Sequence, residues 1–290
     1  MKRQLLLIIT LTGFVFTGLA QQDALLWKVT GKNLDKPSYL YGTIHIQAKE
    51  VFAYDTLIYE KMRSCSAMAV ELIMDEIDPK TIKEIMFMEE GSIADYLSDE
   101  EYHLLDSVMK ARTGQPLMLF EKMKPFFLSS QIMQTMIPKE MPLPLDMHFI
   151  DTARKMGKNI LALETLSDQI GAIDKMSVEE QVDMLMDGLT DDENSMEKQF
   201  NQLVEVYVAQ DIDSLQVLMQ DTALPEFFGK ELIIKRNKGM AKALHKIMKK
   251  QSVFAAFGAA HLVGEKGVIE LLRQKGYKIE PVHFEFIIAE

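Results

Sequence analysis

Ser38-Tyr39-Leu40-Tyr41-Gly42-Thr43-Ile44-His45 is an apolar, aromatic-bearing run of strand length that ends in glycine and then histidine. Near the other end of the chain, Ser252-Val253-Phe254-Ala255-Ala256-Phe257-Gly258-Ala259-Ala260-His261 repeats the arrangement, again with His three positions after Gly. Short, nearly continuous apolar runs bounded by turn residues read as buried strands. A glycine at the strand end lets backbones approach closely, and the histidine beyond it leaves the sheet edge where open α/β sheets place their ligands. Two further runs, Ala67-Met68-Ala69-Val70-Glu71-Leu72 and Asn159-Ile160-Leu161-Ala162-Leu163-Glu164, read as apolar strands ending in a carboxylate.

Outward from these runs, Leu26 to Thr30 alternates with period two and forms a hairpin with Ser38 to Ile44 across a turn-rich loop ending in Pro37. A helix is expected from about Tyr54 to Arg63, and helical periodicity runs from Pro79 to about Met136. It includes a Ser98-capped helix and one starting near Lys124-Pro125. Pro138, Pro142 and Pro144 break the chain, and a helix from Asp146 to Met156 stops at Gly157. The stretch from Ser167 to Lys250 is almost all helix, with a long amphipathic run from Glu226. A helix from Gly267 to Lys275 and a final strand region from Tyr277 to Ile288 follow. Strands at both ends with a helical middle imply an α/β (α+β) fold. Its central mixed sheet carries the Gly-x-x-His motifs at strand ends, in a single domain over residues 21–290 with helical insertions roughly at 79–145 and 167–250.

Composition narrows the chemistry. With 48% hydrophobic and 26% charged residues over 290 positions, the chain is too apolar to be disordered. A net charge of −11 disfavours nucleic acid and anionic lipid as partners. The single cysteine, Cys65, excludes a disulfide framework, CxxC redox motifs and all-cysteine zinc sites, so a metal site must use His and carboxylates. Lys2 and Arg3, the apolar stretch Leu5 to Leu19 and the small residues of Gly18-Leu19-Ala20 read as a secretory signal peptide over residues 1–20. An uncleaved anchor is the alternative. Cleavage implies a secreted or periplasmic protein with no stable membrane insertion.

His45 and His261, with a strand-end carboxylate from Glu71 or Glu164, would form a two-histidine, one-carboxylate site open to water and substrate. Zn, Mn, Fe or Co suits imidazole, and such an ion makes hydrolysis feasible without a protein nucleophile. No GxSxG, HExxH or Walker A loop occurs, and Cys65 reads as a buried, inert thiol. His103, His245 and His283 lack a matching context and are structural; His148 lies two residues from Asp146, which on a helix points it elsewhere. Glu265 reads as solvated, and the 21 Met residues fall at helical spacing as core filling.

These residues, together with Lys124-Pro125, Leu163-Glu164-Thr165 and Gln169, Arg236-Asn237, Gly258-Ala259-Ala260-His261-Leu262 and Gly276-Tyr277, occur in the order of the TraB/GumN family, which the chain resembles from about Leu26 to Val282. That family includes the animal Tiki proteins, membrane-tethered metalloproteases acting on Wnt ligands. The resemblance implies a fold similar to erythromycin esterases and haem-uptake ChaN-like proteins, with His45, Glu71 and His261 at a divalent metal ion (Mn, Co or Zn). Arg236 matches the family's Arg-Asn pair and would stabilise an oxyanion, or alternatively tie its helix to the core. Asp146 falls where relatives commonly carry Gly-x-Asp, but here Pro144-Leu145 precede it. Glu164 would orient water or a ligating imidazole, or serve as a cap or salt bridge. The expected function is a metal-dependent hydrolase of peptides. The rivals are a small-molecule esterase and a non-catalytic protein binding a metal, haem or small ligand in the same pocket.

Overall fold

Register pairs the two Gly-x-x-His strands directly. β2 (Ser38–Thr43) runs parallel to β5 (Val253–Gly258), with Gly42 opposite Phe257 and Thr43 opposite Gly258. The computed structural model describes residues 24–32, 34–171, 173–189, 193–220 and 230–287. The segment read as a signal peptide, and residues 226–229 of the amphipathic run, lie outside them.

The sheet has six strands in the order β4-β3-β5-β2-β1-β6, with β1 Leu26–Thr30, β3 Ala67–Val70, β4 Asn159–Ala162 and β6 Lys278–Pro281. β4, β3, β5 and β2 are mutually parallel, while β1 pairs antiparallel with both β2 and β6. This is the mixed sheet of an α/β protein. β2 and β3 are buried throughout, which explains their continuous apolar reading: helices cover both faces of a parallel sheet. β4 reads the same way but lies on the edge, with Asn159 and Ala162 exposed. The final strand ends at Pro281 and Phe286 makes an isolated bridge to Tyr54, while Ile288, the expected end of the strand region, lies outside the described residues.

Between β3 and β4 lie α2 (Pro79–Met86), α3 (Asp99–Thr113), α4 (Pro125–Met136) and α5 (Leu145–Lys155), preceded by α1 (Leu57–Ser64). Between β4 and β5 lie α6 (Leu166–Ile170), α7 (Val178–Gly188), α8 (Glu193–Val208), α9 (Ile212–Gln220) and α10 (Arg236–Met248); α11 (Val268–Gln274) precedes β6. The starts obey local chemistry. Ser98 and Glu101 close a capping box on α3, Thr165 and Asp168 one on α6, and Pro125 opens α4 where a missing N–H costs nothing.

Trp27, Tyr41, Phe149, Phe254 and Phe257 are fully buried in the main core around the sheet, each contributing about 1.5–3 kcal/mol of burial. A second apolar cluster joins α3, α4 and α7 through Leu105, Met109, Leu128, Ile132, Val182 and Leu185. The proline-broken stretch packs as a strap on the loop after β2: Met141 N–H donates to the Gln47 carbonyl at 2.9 Å and Leu145 N–H to that of Ile46 at 3.2 Å. None of the described helices is long and apolar enough to cross a membrane.

Candidate functional site

Each of the four parallel strands delivers one candidate residue at its carboxyl end: His45 after β2, Glu71 after β3, Glu164 after β4 and His261 after β5. Adjacent parallel strands ending level with one another bring together residues far apart in the chain, at the edge where such sheets bind ligands.

Glu71 caps the neighbouring strand. Its Oε1 accepts the Gly258 N–H at 2.6 Å, and its Oε2 accepts from Arg236 Nη2 at 2.6 Å and Gln169 Nε2 at 3.0 Å. A Cβ on Gly258 would sit 3.3 Å from that Oε1 and 3.5 Å from His261 Cδ2, so the glycine makes room for the carboxylate and the imidazole together. Glu164, whose side chain is only 2% exposed, accepts on Oε2 from Arg236 Nε at 3.0 Å and on Oε1 from Arg236 Nη2 at 2.6 Å. Gln169 Nε2 also donates to Oε1, at 2.9 Å. Arg236 opens α10 directly after a π-helical turn over Lys230–Lys235. Burial opposes its charge, but Glu164 and Glu71 outweigh that and raise its pKa further. The guanidinium is thus fixed by a fork-like pairing that a lysine could not reproduce.

His261 is 4% exposed, and its Nδ1 lies 2.6 Å from Asn237 Oδ1. Asn237 Nδ2 donates to the Lys266 carbonyl at 2.8 Å, which fixes the amide so that its oxygen faces the ring. Nδ1 therefore carries the proton and Nε2 presents a lone pair. Burial, aided by the nearby Arg236 charge, pushes the His261 pKa down to about 3. His45 differs in every respect. Its side chain is 69% exposed, and Nδ1 lies 2.9 Å from Asp146 Oδ1, an ion-pair distance without the alignment of a hydrogen bond. The Asp146 carboxylate beside it raises its pKa. Asp146 Oδ1 itself is buried with no hydrogen-bond partner.

The structure thus gathers Glu71, Glu164 and Arg236 into one bonded cluster, with His261 close enough to feel the Arg236 and Glu164 charges, and sets His45 with Asp146 beside it. Sequence reasoning missed Tyr207: buried on α8, it donates to the Gly42 carbonyl at 2.8 Å and holds the first Gly-x-x-His turn. Nothing local marks it, since it is one aromatic among many on an amphipathic helix. Asn237 and Gln169, noted only as part of a motif order, turn out to orient His261 and to bridge the two glutamates. Elsewhere, His148 pairs with the Tyr59 hydroxyl at 3.0 Å and His245 with that of Tyr277 at 2.9 Å. Burial pushes the Cys65 thiol up to about 11, so it is inert at neutral pH.

Among the described residues, no three His, Cys, Asp or Glu side chains converge closely enough to hold a metal ion. In donor type the residues suit a divalent cation. His261 offers a neutral imidazole whose other nitrogen is tied down, as metal-bound histidines are, and Asp146 Oδ1 lacks a partner beside a second imidazole. Glu71 is engaged on both oxygens, so a cation taking it would compete with Arg236 and Gln169.

The His261 environment gives a pH prediction. A histidine whose folded pKa is depressed destabilises the native state as pH falls, because the unfolded chain takes up a proton that the native ring refuses. From pH 6.5 down to 5 this amounts to about 2 kcal/mol. Urea unfolding of wild type and His261→Gln at pH 7 and 5 should show that extra acid loss in wild type alone. Equal losses would mean that the ring titrates normally.

A family model described as the TraB/PrgY/gumN family matches residues 25–281. Metalloprotease TIKI2 of Xenopus tropicalis is 24% identical over 90% of this chain and 60% of its own length. Metalloprotease TIKI2 of Danio rerio is 24% identical over 89% and 61%, and human Metalloprotease TIKI1 is 20% identical over 91% and 64%. The chain therefore spans about three fifths of the length of these relatives. No solved structure matches.

Proposed function

The chain belongs to the TraB/PrgY/gumN family, and from that premise we propose that it is a metal-dependent hydrolase of peptides, exported by its N-terminal segment and acting in the periplasm or outside the cell. The observation that carries the reading is the fixed, neutral His261 packed against the Glu71–Arg236–Glu164 cluster. A ring that stays unprotonated throughout the working pH range is a lone-pair donor and a poor general acid, which is what a metal ligand needs. His45, Glu71 and His261 would hold the ion, with Mn, Co and Zn suited to such a donor set. When bound, the ion supplies an acidified water and polarises the scissile carbonyl.

The remaining residues position and stabilise. Asp146 orients His45. Glu164 and Glu71, themselves bridged by Gln169, hold Arg236 in place, and its guanidinium stabilises charge developing on a carbonyl oxygen without having to reorganise. A specific observation favours the second reading, a non-catalytic metal or small-ligand binding protein. Both strand-end carboxylates are engaged, which leaves neither free as a general base.

Elemental analysis of untagged protein purified without chelators, followed by a peptide-library cleavage assay with and without the metal found, tests the proposal. The expected result is bound divalent metal and cleavage that stops on chelation and returns on reloading. Bound metal without cleavage under any loading would favour the binding-protein reading.

A further inference from the structure

A cleft of about 540 Å³ opens between α8 and the loop that carries His45. One wall is α8, which lines it with Phe200, Val204 and Val208, a stripe at helical spacing whose members are only half-buried. The facing wall comes from Ala48, which follows His45 by three residues, and from Pro138 on the strap leading to Asp146. Three carboxylates, Glu50, Glu140 and Glu205, stand around this apolar floor. Against them, Lys49 approaches only Glu140: its N–H donates at 3.1 Å and its Nζ lies 3.9 Å away. Lys139 is the other cation on the strap, paired through its backbone in a bridge with Gln47. The lining is therefore acidic around an apolar stripe, and the chain as a whole carries −11.

We propose that this cleft is the docking subsite for the non-scissile part of the substrate, and that it selects a peptide segment carrying Lys or Arg beside aliphatic side chains. The inference rests on the hydrolase reading and specifies its substrate class. The volume falls in the range of ligand sites, about 300–1,000 Å³, and accommodates a few side chains. The apolar stripe takes the apolar ones, and the glutamates take the cations while repelling acidic peptides. Position supports the same conclusion. The loop and strap that wall the cleft are the ones that set His45 against Asp146, and α8 carries Tyr207, which holds the Gly42 carbonyl. A peptide seated here is anchored on elements that run directly into the site.

Fluorescence anisotropy on the full chain, with short synthetic Leu/Lys and Leu/Glu peptides of matched length, tests the assignment with and without added Mn²⁺. The Lys peptide should bind at least about tenfold tighter than the Glu peptide, with the difference shrinking as salt rises. Glu50→Gln and Glu205→Gln should each weaken the Lys peptide by about two- to fivefold. Both side chains lie outside the bonded cluster, so cleavage of a substrate too short to reach the cleft should not change. Equal binding of the two peptides, indifference to both substitutions, or spermidine competing as strongly as the Lys peptide would overturn the proposal. Discriminating binding without cleavage would remove only the hydrolase reading; cleavage with indiscriminate binding would remove only this one.

Discussion

Arg236→Met is expected to destabilise the protein by about 3–5 kcal/mol at neutral pH, the range found when one member of a buried ion pair is removed. Arg236 is 11% exposed and donates to Glu71 at 2.6 Å and to Glu164 at 2.6 and 3.0 Å, with Glu164 only 2% exposed. Methionine fills most of the volume but leaves two carboxylates facing each other, bridged only by Gln169. Arg236→Lys restores the charge without the fork and should recover only part of the loss. Urea unfolding of the three proteins at pH 7 decides the matter. A loss under about 1 kcal/mol would show that the cluster is solvated and contributes as a surface pair does.

Gly42→Val is expected to cost about 3 kcal/mol, the upper end for forcing side-chain volume into a packed interior. A Cβ at Gly42 would stand 2.6 Å from Leu262 Cδ1 and 3.0 Å from both Ala259 Cα and its Cβ. The leucine can rotate away, but the Ala259 backbone cannot without parting β2 from β5. Gly42→Ala should show a smaller version of the same effect. Thermal unfolding measures both, and a valine variant melting with wild type would show that the strands separate freely. The first Gly of this motif is thus a spacer between sheet and turn, while Gly258 is a spacer between carboxylate and imidazole.

The sheet and the four strand-end residues were legible because buried parallel strands leave continuous apolar runs, and polar residues interrupting them stand out. Helix existence was legible too, but ends drifted. The helix expected from Tyr54 starts at Leu57, because Asp55 Oδ1 takes the Leu57 N–H at 2.6 Å in a local turn. Whether a strand lies inside or at the edge was not legible, since β4 and β3 read alike and only the sheet order separates them. Partnerships were hidden for the same reason. Arg236 as a clamp on Glu71 and Glu164, and Tyr207 under Gly42, depend on contacts between residues 72 and 165 positions apart in the chain, which no local pattern records.

The strand order also governs when the site can assemble. β5 is synthesised after the other three parallel strands, yet it lies between β2 and β3, and Val253 bonds to Ser38 across 215 residues of chain. Until it inserts, β2 has only its hairpin partner β1, and β3 has only the edge strand β4. Folding must therefore close a very long loop, the kind of non-local step that slows assembly. A chain interrupted before Val253 holds His45, Glu71 and Glu164 but cannot bring His45 beside the two glutamates. The site is completed by the last central strand, so an incomplete chain carries every earlier residue of the site without assembling it.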